Sequence, residues 1–157
     1  MPDDVTIVPF AEIDDPEPIW ALDLQVSRDI PNGETFDALS LEQWVSQYWR
    51  TPLVDDDASL AAVVDGTIVA VTFIRVDRPS GRAQNALAGT LPPYRGRGLA
   101  TMLKSHSLHR AAGLGATIAL TDNDEANAPM LAVNSRLGYR PFARRLTWRR
   151  SPPTSAR

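Results

Sequence analysis

The chain has 157 residues, 43% of them apolar, with a formal net charge of -3, a size and composition that suit one compact domain with a real core. It contains no cysteine and only two histidines, His106 and His109, which excludes disulfides and thiolate chemistry and leaves no metal site to expect. No apolar run reaches about 18 residues, and the opening M-P-D-D-V is acidic where a secretion leader is basic, so a cytoplasmic protein with no membrane role is expected.

In chain order, Val5–Phe10 alternates as a short strand, and Pro9 suits it to a sheet edge. From Pro18 the apolar residues Ile19, Leu22, Val26 and Ile30 recur at helical spacing until Pro31. Ser40 with Gln43 forms a capping-box pattern, and Leu41, Trp44, Val45 and Tyr48 predict a second helix ending near Arg50. Two β-rich runs meet at Asp65-Gly66, a pair that favours the tight hairpin turn because both residues take positive φ. Residues 83–91 read as a third successive strand. A helix from Gly98 to Ala112 is predicted to bury Leu99, Met102, Leu103 and His106, with Gly113 as its cap. Residues 116–121 read as a strand, Asn127 caps a helix through Arg136, and residues 139–148 return as a strand. The expected organisation is a single domain over residues 1–150 and a disordered tail over 151–157. The order implies an α+β fold with a mixed sheet, in which an antiparallel meander passes to a βαβ crossover.

Charge is unevenly spread: residues 1–57 hold fourteen Asp and Glu against Arg28 and Arg50, whereas residues 136–157 hold seven arginines and no acid. The two sets are either solvated surface paired across the fold or the two sides of a bipolar site. Lys104 is the only lysine among sixteen basic residues, a usage that reads as coding bias of a GC-rich bacterium. Nucleic-acid binding by the C-terminal arginines is the weaker reading for a chain of negative net charge.

The segment L-P-P-Y-R-G-R-G-L-A, residues 91–100, carries the chemistry. A helix beginning near Gly98 leaves its first amides unpaired and its end electropositive. Gly96 and Gly98 allow close backbone approach, and Arg95 and Arg97 add permanent cations. A pyrophosphate is the natural guest. The Walker A spacing is absent, and the dinucleotide fingerprint lacks its third glycine at Thr101.

Arg95-x-x-Gly98-x-Ala100 resembles the signature of the Gcn5-related N-acetyltransferases: Gln or Arg, two residues, Gly, one residue, then Gly or Ala. Asn127-A-P-M-L-A-V-N-S-R-L-G-Y is similar to that family's later motif, in which an asparagine opens a helix that ends in Leu-Gly-aromatic. The resemblance covers residues 58–148. It implies the family's fold, acetyl-CoA as donor, no metal, and direct transfer to an amine. It further implies that amides of Gly96, Arg97, Gly98, Leu99, Ala100 and Thr101 bind the pyrophosphate beside Arg95. Ala88, Gly89 and Thr90 would run beside the pantetheine, which Asn127 would also bind.

Acyl transfer to an amine needs a neutral nucleophile, a polarised carbonyl and a proton for the leaving thiolate. Where many relatives carry a tyrosine acid this chain has Asn134, which donates a hydrogen bond but no proton. Asp122, at the end of a strand, is the candidate base, with water as the alternative. Asp29 and Glu34 border the loop expected to wall the acceptor, and with the acidic first third they suggest a cationic amine. Trp20, Trp44, Tyr48 and Trp49 are either core or a ring wall for it. The alternative function is a CoA-binding domain without turnover, and the assembly is left open between a monomer and a homodimer.

Overall fold

A computed structural model describes residues 4–31, 38–146, 148 and 150. Among these residues β1 (Thr6–Pro9), β2 (Leu60–Val64), β3 (Thr67–Asp77), β4 (Arg82–Thr90) and β5 (Ile118–Thr121) form one sheet in chain order. β1 to β4 are antiparallel, and β5 joins β4 in parallel after the crossover through α3 (Leu99–Gly113). The remaining helices are α1 (Glu17–Ser27), α2 (Leu41–Tyr48) and α4 (Ala128–Arg136). The expected mixed sheet with its meander and crossover is the one observed.

Strand alternation sends successive side chains to opposite faces. Ala61 and Val71, paired across β2 and β3, belong to a core with Phe10, Phe73, Ile19, Leu22 and Val26 of α1 and Trp44 of α2. Ala62 and Ala70, the next pair, face Leu99 and Leu103 of α3 on the other side. Each large side chain so buried contributes roughly 1.5–3 kcal/mol. Helices thus cover both faces of a sheet whose first strand is an edge.

Local signals are reproduced where they depend on neighbours in the chain. Ser40 Oγ accepts from Gln43 N at 3.2 Å while Gln43 Oε1 accepts from Ser40 N at 3.0 Å, the reciprocal capping box. Asp65 and Gly66 take φ of 48° and 76° in the hairpin turn. α1 stops at Ser27, short of Pro31, because Asp29 N and Ile30 N reach back only three residues, to Val26 O and Ser27 O, and the last turn tightens.

Other expectations need correction. His106 is exposed; the buried stripe of α3 runs through Leu99, Leu103, Ser107 and Ala111, with Lys104 buried beside it. Gly113 is the last helical residue, and Gly115, at φ 97°, takes the left-handed position. Residues 139–146 form no strand, and Phe142, Leu146 and Trp148 stand 81%, 76% and 89% exposed. Alternation supplies a pattern but no ladder: β5 is four residues long, and its outer edge pairs with no strand among the described residues. The 151–157 tail and Glu34 lie outside the described residues.

α1 lies against β4 at one point of close approach: a Cβ built on Gly89 would stand 2.5 Å from Val26 Cγ2. Gly89→Ala should therefore cost about 1–3 kcal/mol by overpacking, measured by urea denaturation. Most of that loss should be recovered in a Val26→Ala, Gly89→Ala double variant. Equal losses with and without Val26→Ala would refute this account of the contact.

Candidate active site

The site is opened by a parting of two strands. β4 and β5 pair from Arg82↔Ile118 to Asn85↔Thr121, and residues 86–90 of β4 have no partner on β5. The register of β3 with β4 shifts at the same place, from Phe73↔Leu87 to Ile74↔Asn85, leaving Ala86 as the extra residue of a bulge. A bulge bends its strand and raises the local twist, so β4 turns away where its parallel neighbour ends. Asn85, buried at this corner, donates through Nδ2 to Thr72 Oγ1 at 2.9 Å and to Phe73 O at 3.1 Å, while its carbonyl accepts from Thr121 Oγ1 at 3.3 Å. A lone asparagine in an otherwise β-rich run was the available signal for this corner, and sequence reasoning passed over it.

The gap holds a cleft of about 390 Å³ between the end of β4 and α4. Ala88, Gly89 and Thr90 form one wall; Asn127, Pro129, Met130 and Val133 form the other; Gly96, Gly98, Leu99, Ala100 and Thr101 close one end. Leu91 N donates to Val69 O across the sheet, so alternation turns the amides of Ala88 and Thr90 to the opposite edge, toward the cleft. Thr90 Oγ1 is buried with no hydrogen-bond partner among the described residues. That orphaned hydroxyl and the cleft-facing amides suit a ligand rich in carbonyl oxygens.

The loop is built as its sequence implies. Pro92–Tyr94 forms a 3-10 turn, Gly96 takes φ 75°, and Gly98 caps α3 at φ 80°. A Cβ at either glycine would meet no atom within 4 Å, so the constraint there is backbone conformation and the space beside it is open. The first amides of α3 precede any carbonyl that could bond them within the helix, and the helix dipole makes that end attractive to phosphate. Residues and geometry together fit the pyrophosphate and pantetheine of a coenzyme A thioester.

The two arginines differ from expectation. Arg95 lines the cleft, with Nε donating to Thr90 O at 2.9 Å and its guanidinium 2.5 Å from Asp29 Oδ2, so Asp29 bridges the cleft wall instead of standing free. Arg97 is not among the lining residues; its guanidinium holds both oxygens of Asp4 at 2.6 Å and lies over Tyr94, and it keeps the Asp4 carboxyl below its ordinary pKa. Arg136, which sequence reasoning grouped with the C-terminal arginines, lines the cleft from the end of α4. Asn127 caps α4 by accepting from Met130 N at 3.3 Å, leaving its amide nitrogen to face another partner.

Asp122 follows β5 but does not line the cleft; it accepts from Gln84 Nε2 at 3.2 Å and lies 3.6 Å from Arg145. Asn134 is buried outside the lining. Its Oδ1 accepts from Lys104 Nζ at 2.6 Å, and its Nδ2 donates to Asn123 Oδ1 at 2.5 Å, tying α3, α4 and the loop between β5 and α4 together. Lys104 Nζ also sits 5.2 Å from the centre of the Tyr139 ring. The single lysine is a buried cross-link that composition alone could not reveal.

The residues match the family model described as the acetyltransferase (GNAT) family over residues 22–139. Solved structures share the fold. Ard1 from Thermoplasma volcanium superposes at TM-score 0.67 with 14% identity, over 89% of this chain and 85% of that one. The ribosomal-protein-alanine N-acetyltransferase from Brucella melitensis biovar Abortus gives TM-score 0.67 and 12% identity, over 93% and 98%. The NatC complex bound to Gag peptide and CoA gives 0.67 and 13%, over 89% and 87%. No curated protein matches by sequence. The family model and the fold together define an acetyltransferase. The chain belongs to the GNAT family of N-acetyltransferases, whose donor is acetyl-CoA.

Among the described residues no cluster of His, Cys, Asp and Glu could hold a metal ion, and no helix is long and apolar enough to cross a membrane.

Burial lowers the pKa of Lys104 to about 8. Below that pH the lysine is charged in both folded and unfolded chains and the folded state bears the full desolvation cost. Above it the unfolded chain holds a proton that the folded chain has released, so stability rises with pH until the ordinary lysine range. The parent should gain up to roughly 1.4 kcal/mol per pH unit between about pH 8 and 10 relative to Lys104→Met. Urea denaturation across that range measures it, and parallel profiles would contradict it.

Proposed function

We propose that the protein transfers an acetyl group from acetyl-CoA to a primary amine on a small cationic molecule, by direct attack within a ternary complex. The observation that carries this reading is one cleft lined by the first residues of α3, the turned-out end of β4 and the capping Asn127. In this reading the amides from Gly96 to Thr101 and the Arg95 guanidinium hold the pyrophosphate, and Asn127 bonds the pantetheine arm. Ala88 and Thr90 present amides to the thioester carbonyl, where hydrogen bonds strengthen as negative charge develops on oxygen.

The amine nitrogen forms a bond to the carbonyl carbon, the carbon–sulfur bond breaks, the nitrogen gives up a proton and the thiolate takes one. Among the described residues Asp29 is the carboxylate lining the cleft, and it is engaged with Arg95. We therefore assign both proton movements to water, and place Asp122 and Asn134 in supporting positions. Neutralising an ammonium costs about 1.4 kcal/mol per unit between its pKa and the working pH, so kcat/KM should rise with pH until the acceptor's own pKa. A plateau well below that pKa would point to a protein base instead. The acceptor's charge is inferred from the acidic composition of the first third of the chain, which carries Asp29 to the mouth of the cleft.

The test is release of free thiol on mixing the chain with acetyl-CoA and a panel of amines. Release that requires both partners is expected; tight acetyl-CoA binding without turnover across the panel would favour a binding domain. Gly98→Val forces a β-branched residue into a left-handed conformation costing roughly 1–2 kcal/mol. It should therefore raise the KM for acetyl-CoA about tenfold or more, and an unchanged KM would count against the loop assignment.

A further inference from the structure

The α4 wall of the cleft carries a pattern of its own. Pro129, Met130 and Val133 line it at helical spacing, and Arg136, one turn beyond Val133, ends the row. Asp29, Arg95 and Arg136 are the charged residues of the lining. The first two neutralise each other, and Arg95 also donates to the Thr90 carbonyl. Arg97, whose place in the loop would make it the other candidate, is held by Asp4 outside the lining. Arg136 is exposed and makes no ion pair among the described residues. It is therefore the uncompensated charge of the cleft.

Its position along the helix separates it from the pantetheine contact. Asn127 caps α4 and Arg136 ends it, so at about 1.5 Å rise per residue the two stand roughly 13 Å apart along the axis. The end that carries Arg136 lies beside α3: Asn134 accepts from Lys104 Nζ, one turn beyond Ala100, which itself lines the cleft. Of the anionic groups of a coenzyme A thioester, the diphosphate is matched by the α3 amides and Arg95. The ribose 3′-phosphate, a monoester bearing about 1.5 to 2 negative charges at neutral pH, still lacks a cation. A guanidinium meets such a group through two parallel charge-assisted hydrogen bonds.

We propose that Arg136 binds the ribose 3′-phosphate of the coenzyme, so that the protein distinguishes coenzyme A from its 3′-dephospho form. This rests on the acetyl-transfer reading above, which places the coenzyme in this cleft, and adds to it a residue that sets donor specificity. An arginine in the last turn of a helix also gains from the helix dipole. That gain is the same with either nucleotide bound and produces no discrimination between them.

The probes are coenzyme A and 3′-dephospho-coenzyme A, each titrated into the full chain by isothermal calorimetry. Coenzyme A should bind at least about tenfold more tightly at low salt, the equivalent of one good charge-assisted contact, and the difference should shrink as salt rises. Arg136→Gln should remove the preference by weakening coenzyme A and leaving the dephospho form as it was. Arg136→Lys, which keeps the charge without the fork, should restore part of it. Should Arg136→Gln fail to fold, the comparison of the two probes on the unaltered chain decides. Equal affinity of that chain for both probes, or a preference that survives Arg136→Gln, would overturn the role given to Arg136 and leave the transferase reading standing. Failure of the unaltered chain to bind either probe would instead bring down the placing of the coenzyme in the cleft.

Discussion

Everything functional in this molecule follows from the point after Asn85 and Thr121 at which β4 and β5 cease to share hydrogen bonds. A continuous parallel pair would satisfy the outer amides of β4 and leave no cleft. The Ala86 bulge bends β4 out of register, and the buried Asn85 side chain holds the corner by bonding Thr72 and the Phe73 carbonyl. The amides freed at Ala88 and Thr90 then face solvent or a ligand. Amides left without a strand partner seek another acceptor, so the geometry leaves donors free for a ligand.

The helices on the two faces position the other parts of the site. α3 brings its unpaired first turn to the same cleft because Gly96 and Gly98 reverse the chain in left-handed conformations directly after the strand. α1 is held against β4 by the Val26–Gly89 contact, which fixes how close α1 comes to the end of β4 that walls the cleft. The Arg95–Asp29 ion pair crosses that boundary. Half exposed on both sides, it contributes little stability of its own, but it places a cation and a carboxylate at the mouth of the cleft. The charge asymmetry seen in the sequence is therefore partly internal pairing, as for Arg97 with Asp4, and partly the makings of a site.

Away from the cleft, the Lys104–Asn134–Asn123 chain takes the place where the resemblance led us to look for an acid. Asn134 has both ends of its amide engaged in holding α3 to α4 and to the loop after β5. That arrangement steadies the wall formed by Met130 and Val133. The cost is a desolvated ammonium, expressed in the lowered pKa of Lys104.

The features that could be read in advance are those whose physics is local. The Ser40–Gln43 box, the Asp65-Gly66 turn, the Asn127 cap and the glycine loop before α3 each depend on a few consecutive residues, and each stands where spacing places it. Periodicity also ordered the strands and helices well enough to anticipate the meander and the crossover. It misplaced His106 and gave no reading of Lys104, because the face a helix buries is chosen by what packs against it. It supplied a strand over residues 139–148, because alternation says nothing about whether a segment docks on a neighbouring edge. The pairing of Arg95 with Asp29, the turning of Arg97 to Asp4, and the meeting of Asp23 with Trp44 join residues 66, 93 and 21 positions apart. By itself the sequence determined most of the elements and the glycine loop before α3, since backbone conformation and capping are short-range. Tertiary structure alone decided which charges face the cleft and which neutralise one another, because electrostatic partners are set by proximity in space, which no spacing along the chain encodes.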